Sequence, residues 1–189
     1  MHLLLESALH EDRLAGLLVL VSQFERASAS GTRDDDLRTR LHLFYLDAVH
    51  RGRVDNWDLV DSTAEYLVGG YLLDRPIDLL LQLAASESLW ERRVAMIATF
   101  GFLKVGDSGP TLTVATRLLP DQHDLIQKAV GWMLREVGKR VSREDLVTFL
   151  DANAPLMGRT ALSYATEHLD PAERARYRAM PRMTREAMG

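Results

Sequence analysis

Cysteine is absent from the 189 residues, and this excludes disulfide bonds, thiolate metal sites and cysteine nucleophiles. No apolar run approaches the roughly 20 residues that a membrane-spanning helix needs. The amino terminus, Met-His-Leu-Leu-Leu-Glu, lacks the basic start and the small-residue cleavage site of a secretory signal. We therefore expect a cytoplasmic protein that has no membrane partner.

Signatures of metal and phosphate-loop chemistry are missing too. The six histidines are scattered, and none forms a paired-ligand spacing with a suitable carboxylate. Neither a glycine-rich phosphate loop nor the elbow of a serine nucleophile occurs. A metalloenzyme is therefore not expected.

The formal net charge is -4, which counts mildly against nucleic-acid binding because such domains are usually basic. The charge is unevenly distributed. Acidic residues outnumber basic ones over residues 1–75, whereas the two kinds nearly balance over residues 76–189. A surface that binds phosphates must then be a local basic stripe, and the second part of the chain is the better place for it.

Apolar residues recur every three or four positions along most of the chain, as they do in helices with one buried face. No stretch alternates with period two for long enough to form a strand. We expect an all-α protein with a single domain over residues 1–189, of which residues 181–189 form a loose tail. The predicted helices cover residues 10–27, 37–49, 57–72, 77–85, 89–105, 112–119, 125–137, 146–150 and 157–169.

Three residues mark an approximate repeat. Trp57, Arg93 and Trp132 stand early in successive long helices, 36 and then 39 residues apart. This spacing approximates that of the two-helix units of HEAT and armadillo proteins. The sequence therefore favours a superhelical solenoid of antiparallel HEAT-like helix pairs.

The segment Asn56-Trp-Asp-Leu-Val-Asp places a carboxylate on an apolar helix face. In a helix that starts near residue 56, Asp61 shares this face with Trp57. A carboxylate there is costly to desolvate unless a cation or a ligand meets it. The position suits either a structural ion pair between helices or a functional site. The other polar side chains of the segment are predicted to project elsewhere: Asp58, Ser62 and Glu65.

An inward arginine follows on the next long helix, in the string Ser88-Leu-Trp-Glu-Arg-Arg-Val-Ala. Arg93 falls in register with apolar residues, whereas Arg92 points toward the polar side. A planar guanidinium suits bidentate contact with either a carboxylate or a phosphate. Asp61 and Arg93 therefore either pair with each other or face a shared concave surface.

The segment over residues 123–140 combines a core face with a second face that we call the basic stripe. One aromatic ring among three cations suits a surface that holds phosphates and packs on a sugar or base. Long side-chain stems that cover a tryptophan would give the same pattern. The basic stripe consists of Lys128, Trp132, Arg135 and Lys139, at steps of four, three and four.

The strings N-W-D-L-V-D, L-W-E-R-R-V-A and K-A-V-G-W-M-L-R-E-V-G-K-R resemble the corresponding stretches of AlkD-type alkylpurine DNA glycosylases. The later string P-L-M-G-R-T-A-L-S-Y-A is similar to the final repeat of that family. The strings stand in the family's order and spacing, and the resemblance covers residues 10–177 approximately.

The resemblance implies a curved solenoid whose concave basic face grips duplex DNA. It implies a DNA repair glycosylase that hydrolyses the glycosidic bond of cationic alkylated purines, such as 3-methyladenine and 7-methylguanine, without a metal or another cofactor. Asp61 matches the catalytic aspartate, and Trp57 and Trp132 match tryptophans that pack around the deoxyribose of the lesion. Arg93 and Arg135 match arginines that engage the DNA backbone near the lesion.

Further contacts with DNA are expected from Lys128, Lys139 and Arg159, and we expect the protein to be a monomer. One departure from the family concerns the start of the chain, which corresponds to the family's second or third helix. Roughly the first quarter of a typical member is thus expected to be missing, and Leu3, Leu4 and Leu5 would be the remnant of such a helix.

Two alternatives stay open. The first is a non-catalytic HEAT-repeat DNA-binding protein, against which the retention of Trp57, Asp61, Arg93 and Trp132 argues. The second is a protein-binding scaffold, because HEAT solenoids commonly hold peptides or partner helices on their concave face. The negative net charge suits this second alternative.

Overall fold

The computed structural model describes residues 2–182, and every regular element in this range is a helix. The prediction of an all-α protein is therefore confirmed. No helix in the described range is long and apolar enough to cross a membrane. Backbone contacts divide the chain into two compact units, with the boundary between Gly101 and Phe102. Of the tail that was predicted to be loose, residues 183–189 lie outside the described range.

Unit 1 packs helices in neighbouring pairs. The helices over residues 10–28 and 35–50 pack on each other, and so do the helices over residues 78–84 and 89–98. Its helices are α1 (His2–Leu5), α2 (His10–Ser28), α3 (Asp35–His50), α4 (Trp57–Asp61), a π-helix (Glu65–Gly69), α5 (Gly70–Leu72), α6 (Asp78–Ala84) and α7 (Leu89–Ala98), followed by α8 (Phe100–Lys104), which runs across the boundary.

The prediction of one continuous helix over residues 57–72 is wrong, because α4 ends at Asp61. Side-chain hydroxyls compete there for backbone carbonyls: Ser62 Oγ donates to the carbonyl of Asp58 at 2.6 Å, and the buried Thr63 hydroxyl contacts that of Leu59. The next turn is a π-helix, which changes the register of the side chains. Glu65 is consequently 9% exposed, although the sequence predicted that it projects away from the apolar face.

A close approach of backbones holds the π-helix against α7. A Cβ atom at position 69 would lie 2.1 Å from the carbonyl oxygen of Ala98, so only glycine fits there. The predicted helix over residues 89–105 is also interrupted. It breaks at Thr99, whose hydroxyl donates to the carbonyl of Met96 at 2.7 Å.

Unit 2 is built around its longest helix, α10, which packs on α9, α11 and α12. The predicted core face of α10 is confirmed, because all five of its members are buried: Ile126, Ala129, Val130, Met133 and Val137. The bounds of the unit's elements are α9 (Gly109–Leu118), α10 (Asp124–Arg140), α11 (Arg143–Asn153), a 3-10 helix (Ala154–Leu156), α12 (Arg159–Ala165) and α13 (Pro171–Ala179).

Periodicity did not predict α13, because only Tyr177 of this helix is buried. Its start is fixed by a reciprocal cap instead. The Asp170 carboxylate accepts from the backbone amide of Glu173 at 2.9 Å, and the Glu173 side chain accepts from the amide of Asp170.

Candidate active site and nucleic-acid interface

The short helix α4 is anchored at its start and along its inner face. The Asn56 side chain accepts a hydrogen bond from the backbone amide of Trp57 at 2.7 Å. Leu59 and Val60 are fully buried, and the Asp58 carboxylate lies 2.7 Å from His10 Nε2. This anchoring fixes the direction in which the side chains of Trp57 and Asp61 project from α4.

Asp61 and Arg93 form a bidentate pair between α4 and α7. Arg93 Nε donates to Asp61 Oδ1 at 2.9 Å, and Nη2 donates to Oδ2 at 2.7 Å. The side chain of Arg93 is 6% exposed and that of Asp61 is 16% exposed. Of the two arrangements open from the sequence, the direct pair is therefore the one observed, and the Asp61 side chain stays partly accessible to solvent.

Burial raises the pKa of the Asp61 carboxyl above its ordinary value. The hydrogen bonds and the positive charge of Arg93 oppose this rise, whereas the Asp58 carboxylate adds to it. Arg93 therefore helps to keep Asp61 ionised, and its loss would raise the pKa of Asp61 further.

The pair with Arg93 leaves free lone pairs on the Asp61 carboxylate. Two carboxylate oxygens offer about four lone-pair directions, and the fork of Arg93 occupies two of them. Because the Asp61 side chain is partly accessible, the remaining lone pairs can accept a hydrogen bond from water or face a cation. A carboxylate fixed in this way needs little reorganisation when positive charge develops beside it.

Trp57 is 54% exposed, which is unusual for so large an apolar side chain. It begins α4 four residues before Asp61, so the two side chains share one face of the helix. Unit 1 therefore presents an exposed indole ring next to a partly exposed carboxylate.

The basic stripe lies on α10 in unit 2, and most of its cations have acidic neighbours. Lys128 Nζ lies 2.7 Å from Asp124, and Arg135 pairs with Glu167 and, at 3.6 Å, with Glu136. Lys139 is exposed, and the ring of Trp132 is half-buried. The sequence analysis predicted neither partner of Arg135. Glu136 follows Arg135 directly on α10, whereas Glu167 belongs to the turn after α12.

Arg159 is the first residue of α12, and its side chain is exposed. Its Nη1 donates to the backbone carbonyl of Arg178 at 3.1 Å, which joins the start of α12 to the end of α13. Residues 2–182 contain no cluster of His, Asp or Glu that could hold a metal ion.

Comparison with known proteins gives one family. Residues 1–169 match the family model described as DNA alkylation repair enzyme. A search of the curated proteins found no match.

Proposed function

The chain belongs to the family of DNA alkylation repair enzymes, and we propose that it is a DNA glycosylase acting on cationic alkylated purines in duplex DNA. Its substrates would be lesions such as 3-methyladenine and 7-methylguanine. The observation that carries the proposal is the partly accessible Asp61 carboxylate, which Arg93 holds by both oxygens on the helix that also presents the exposed Trp57.

The charge of the lesion explains why one carboxylate suffices. Glycosidases that act on neutral leaving groups need a carboxylic acid to protonate the departing oxygen and a second carboxylate for the sugar. An N-alkylated purine is already cationic, so when the bond from C1′ to nitrogen breaks, the electron pair neutralises the base. No general acid is required, and the demand that remains is to stabilise the sugar cation.

Asp61 meets this demand in the proposed mechanism. Its negative charge stabilises the oxocarbenium-like sugar, and a lone pair that Arg93 does not occupy accepts a hydrogen bond from the attacking water. The water oxygen bonds to C1′, and its proton passes to solvent. The products are the free base and an abasic site.

Arg93 has a positioning role in this mechanism. The family resemblance assigns Arg93 to the DNA backbone, yet the guanidinium donates two hydrogen bonds to Asp61. We therefore propose that Arg93 acts through Asp61, by orienting the carboxylate and holding it ionised. Trp57 and, by the resemblance, Trp132 pack against the deoxyribose, where the electron-rich indole faces favour developing positive charge.

We propose that DNA is bound by cations of unit 2. The residues assigned to this role are Lys128, Arg135, Lys139 and Arg159. The exposed side chains of Lys139 and Arg159 support the assignment, because phosphate contacts need accessible cations. For Lys128 and Arg135, a phosphate would replace the carboxylate partners Asp124 and Glu167.

HEAT-like repeats are the architecture that we propose for these helices. Neighbouring helices that pack in pairs support it in both units: α2 with α3 and α6 with α7 in unit 1, and α10 with α11 and α12 in unit 2. The repeat spacing of Trp57, Arg93 and Trp132 also supports it.

A non-catalytic DNA-binding protein of the same family is the second candidate. The specific observation in its favour is that Asp61 and Arg93 satisfy each other, as a purely structural ion pair would. One experiment separates the two: the chain is incubated with duplex DNA that carries 7-methylguanine, and released base is quantified. Release above the spontaneous rate supports the glycosylase, whereas binding without release supports the second candidate.

A further inference from the structure

The outer face of α2 carries two large apolar side chains. Leu18 is 47% exposed and Val19 is 46% exposed, whereas Leu17, Leu20 and Phe24 bury the opposite side of the helix in the core of unit 1. At about 100° of rotation per residue, six residues of α2 fall within one arc of about 100° on the outer face. We call this set the outer stripe. It consists of Glu11, Ala15, Leu18, Val19, Ser22 and Arg26, of which Ser22 is half-buried and the others are exposed.

The outer stripe is symmetric about the point between Leu18 and Val19. Ala15 precedes Leu18 by three positions, and Ser22 follows Val19 by three. Glu11 precedes Leu18 by seven positions, and Arg26 follows Val19 by seven. From either end towards the centre, the stripe therefore presents a charge, then a small side chain and then an apolar one, and the charges at its two ends have opposite signs.

This symmetry makes the outer stripe complementary to itself. When a second copy of α2 lies antiparallel on the first, with a twofold axis through the central point, Glu11 of each copy faces Arg26 of the other. Leu18 and Val19 of both copies meet in the middle. Such an interface is isologous, so it closes at two chains. A parallel arrangement would place like charges opposite each other at both ends, so the charges favour the antiparallel one.

The end charges of the outer stripe are available to a partner. Glu11 and Arg26 are exposed, and neither forms an ion pair within residues 2–182. Asp12 and Glu25 are also equally far from the central point, but they lie on opposite edges of the stripe, where the twofold axis keeps them apart. Asp12 in addition accepts a hydrogen bond from the Ser7 hydroxyl at 2.6 Å.

The size of the outer stripe suits a weak association. The 19 residues of α2 extend over about 28 Å. The helix α1 packs beside the stripe, over Gly16, and its Leu3 side chain is exposed. A contact of one helix on another falls short of the roughly 800 Å² per partner that a stable interface buries. A dimer that forms only as the concentration of the chain rises is therefore expected.

We propose that the outer stripe of α2 is a homodimer interface, on which a second copy of this chain docks antiparallel. The sequence led us to expect a monomer, and the symmetric stripe on the exposed face of α2 changes that expectation. This interface does not rest on the proposed function, because it involves neither DNA nor Asp61.

The first test is sedimentation velocity of the full chain at concentrations from about 1 µM to about 1 mM. The sedimentation coefficient should rise from the value of a monomer towards that of a dimer. Leu18→Gln should raise the dissociation constant roughly tenfold, because each dimer loses two apolar contacts at its centre. The matched control is Leu43→Gln, which changes an exposed leucine of α3 outside the stripe and should change the constant less than about twofold.

The second test exchanges the end charges. Glu11→Arg and Arg26→Glu each place like charges opposite each other at both ends of the dimer, so each variant alone should dimerise roughly tenfold more weakly. In an equimolar mixture of the two variants, both end contacts join unlike charges again. Heterodimers should therefore form about as tightly as the wild-type dimer, and both substitutions lie at exposed positions.

Three outcomes would overturn the interface. The first is a chain that stays monomeric up to about 1 mM, which would leave the outer stripe to another occupant. The second is a dimer that Leu18→Gln weakens no more than Leu43→Gln does, which would place the contact elsewhere. The third is a mixture of the charge variants that associates no better than each variant alone.

Discussion

Gly69 and Ala98 lie in backbone contact, because a Cβ atom on Gly69 would stand 2.1 Å from the Ala98 carbonyl oxygen. This crossing holds the π-helix against α7. The helix α4, which ends four residues before the π-helix, also packs on α7. The crossing therefore sets the distance across which Arg93 reaches Asp61, and the candidate site depends on a glycine that makes no contact with substrate in the proposed mechanism.

Gly69→Ala should destabilise the protein by about 1–3 kcal/mol, because backbone atoms cannot make way for the added methyl group. The measurement is urea unfolding followed by circular dichroism. Gly31→Ala is the matched control, since no atom lies within 4 Å of the Cβ it would add. Its effect should stay within about 1 kcal/mol. Equal midpoints for the two variants would contradict the close crossing.

Removal of the Arg93 guanidinium from its pair with Asp61 should lower the free energy of unfolding. Arg93→Met leaves the Asp61 carboxylate partly buried without a partner and should destabilise the protein by about 3 kcal/mol. In a double-mutant cycle with Asp61→Asn, the coupling energy should exceed about 1 kcal/mol. The exposed pair of Arg33 and Asp74 provides the comparison, and its coupling should be weaker because solvent screens both charges. A cycle for Arg93 and Asp61 that gives no more coupling than this exposed pair argues against a structurally important bridge.

The pH dependence of excision follows from the pKa of Asp61. In the proposed mechanism the carboxylate is the active form, so the rate should fall as the pH drops through this pKa. Because burial raises the pKa, the fall should occur above the ordinary value of about 3.9. Single-turnover rates are measured across pH and corrected for spontaneous depurination. They give the position of this fall, which is the acid limb of the pH–rate profile.

A substitution at Asp58 independently tests whether Asp61 controls the acid limb of the pH–rate profile. Asp58→Asn removes a like charge that raises the pKa of Asp61, so the acid limb should move to lower pH. Asp36→Asn, on the exposed start of α3, should leave the limb in place. An unchanged limb in Asp58→Asn would mean that another group controls the rate.

The proposed binding of DNA should depend on the cations Lys128 and Arg159 of unit 2. Lys128→Ala combined with Arg159→Ala should lower the slope of log affinity against log salt by about 0.9 for each phosphate that the variant no longer neutralises. The weakening should be similar for all DNA sequences, because phosphate contacts carry no sequence information. Fluorescence anisotropy at several salt concentrations measures the slope, and a slope equal to that of the wild type removes both residues from the interface.

Periodicity predicted most of this fold because a buried helix face recurs every three or four residues. It predicted the core face of α10 correctly. It also predicted helices that continue past Asp61 to residue 72 and past Thr99 to residue 105, whereas the structure has breaks there. The hydroxyls of Ser62 and Thr99 bond locally to carbonyls of the preceding turn, an alternative that hydrophobic periodicity does not register. The contact of Gly69 with the backbone of Ala98 is a tertiary effect. The same reason accounts for Glu65, whose burial follows from the π-helix.

For the candidate site, the sequence indicated that Asp61 and Arg93 are inward-facing and complementary. It left open whether they pair, because an arginine fork suits a phosphate as well as a carboxylate. The choice depends on the relative position of α4 and α7, which helical spacing within one segment cannot specify. The pair of Arg135 with Glu167 was missed because the two residues are 32 positions apart in the chain.

The most direct test of the proposed mechanism is single-turnover release of 7-methylguanine by the wild type and by Asp61→Asn, at a temperature at which both have been shown to be fully folded. Asn keeps the size of the side chain but removes the negative charge, so the rate should fall about 100-fold to 1,000-fold. Affinity for DNA should persist or rise, because a carboxylate that faces phosphates repels them. Equal rates for the two proteins would contradict the account and leave Asp61 as a structural partner of Arg93.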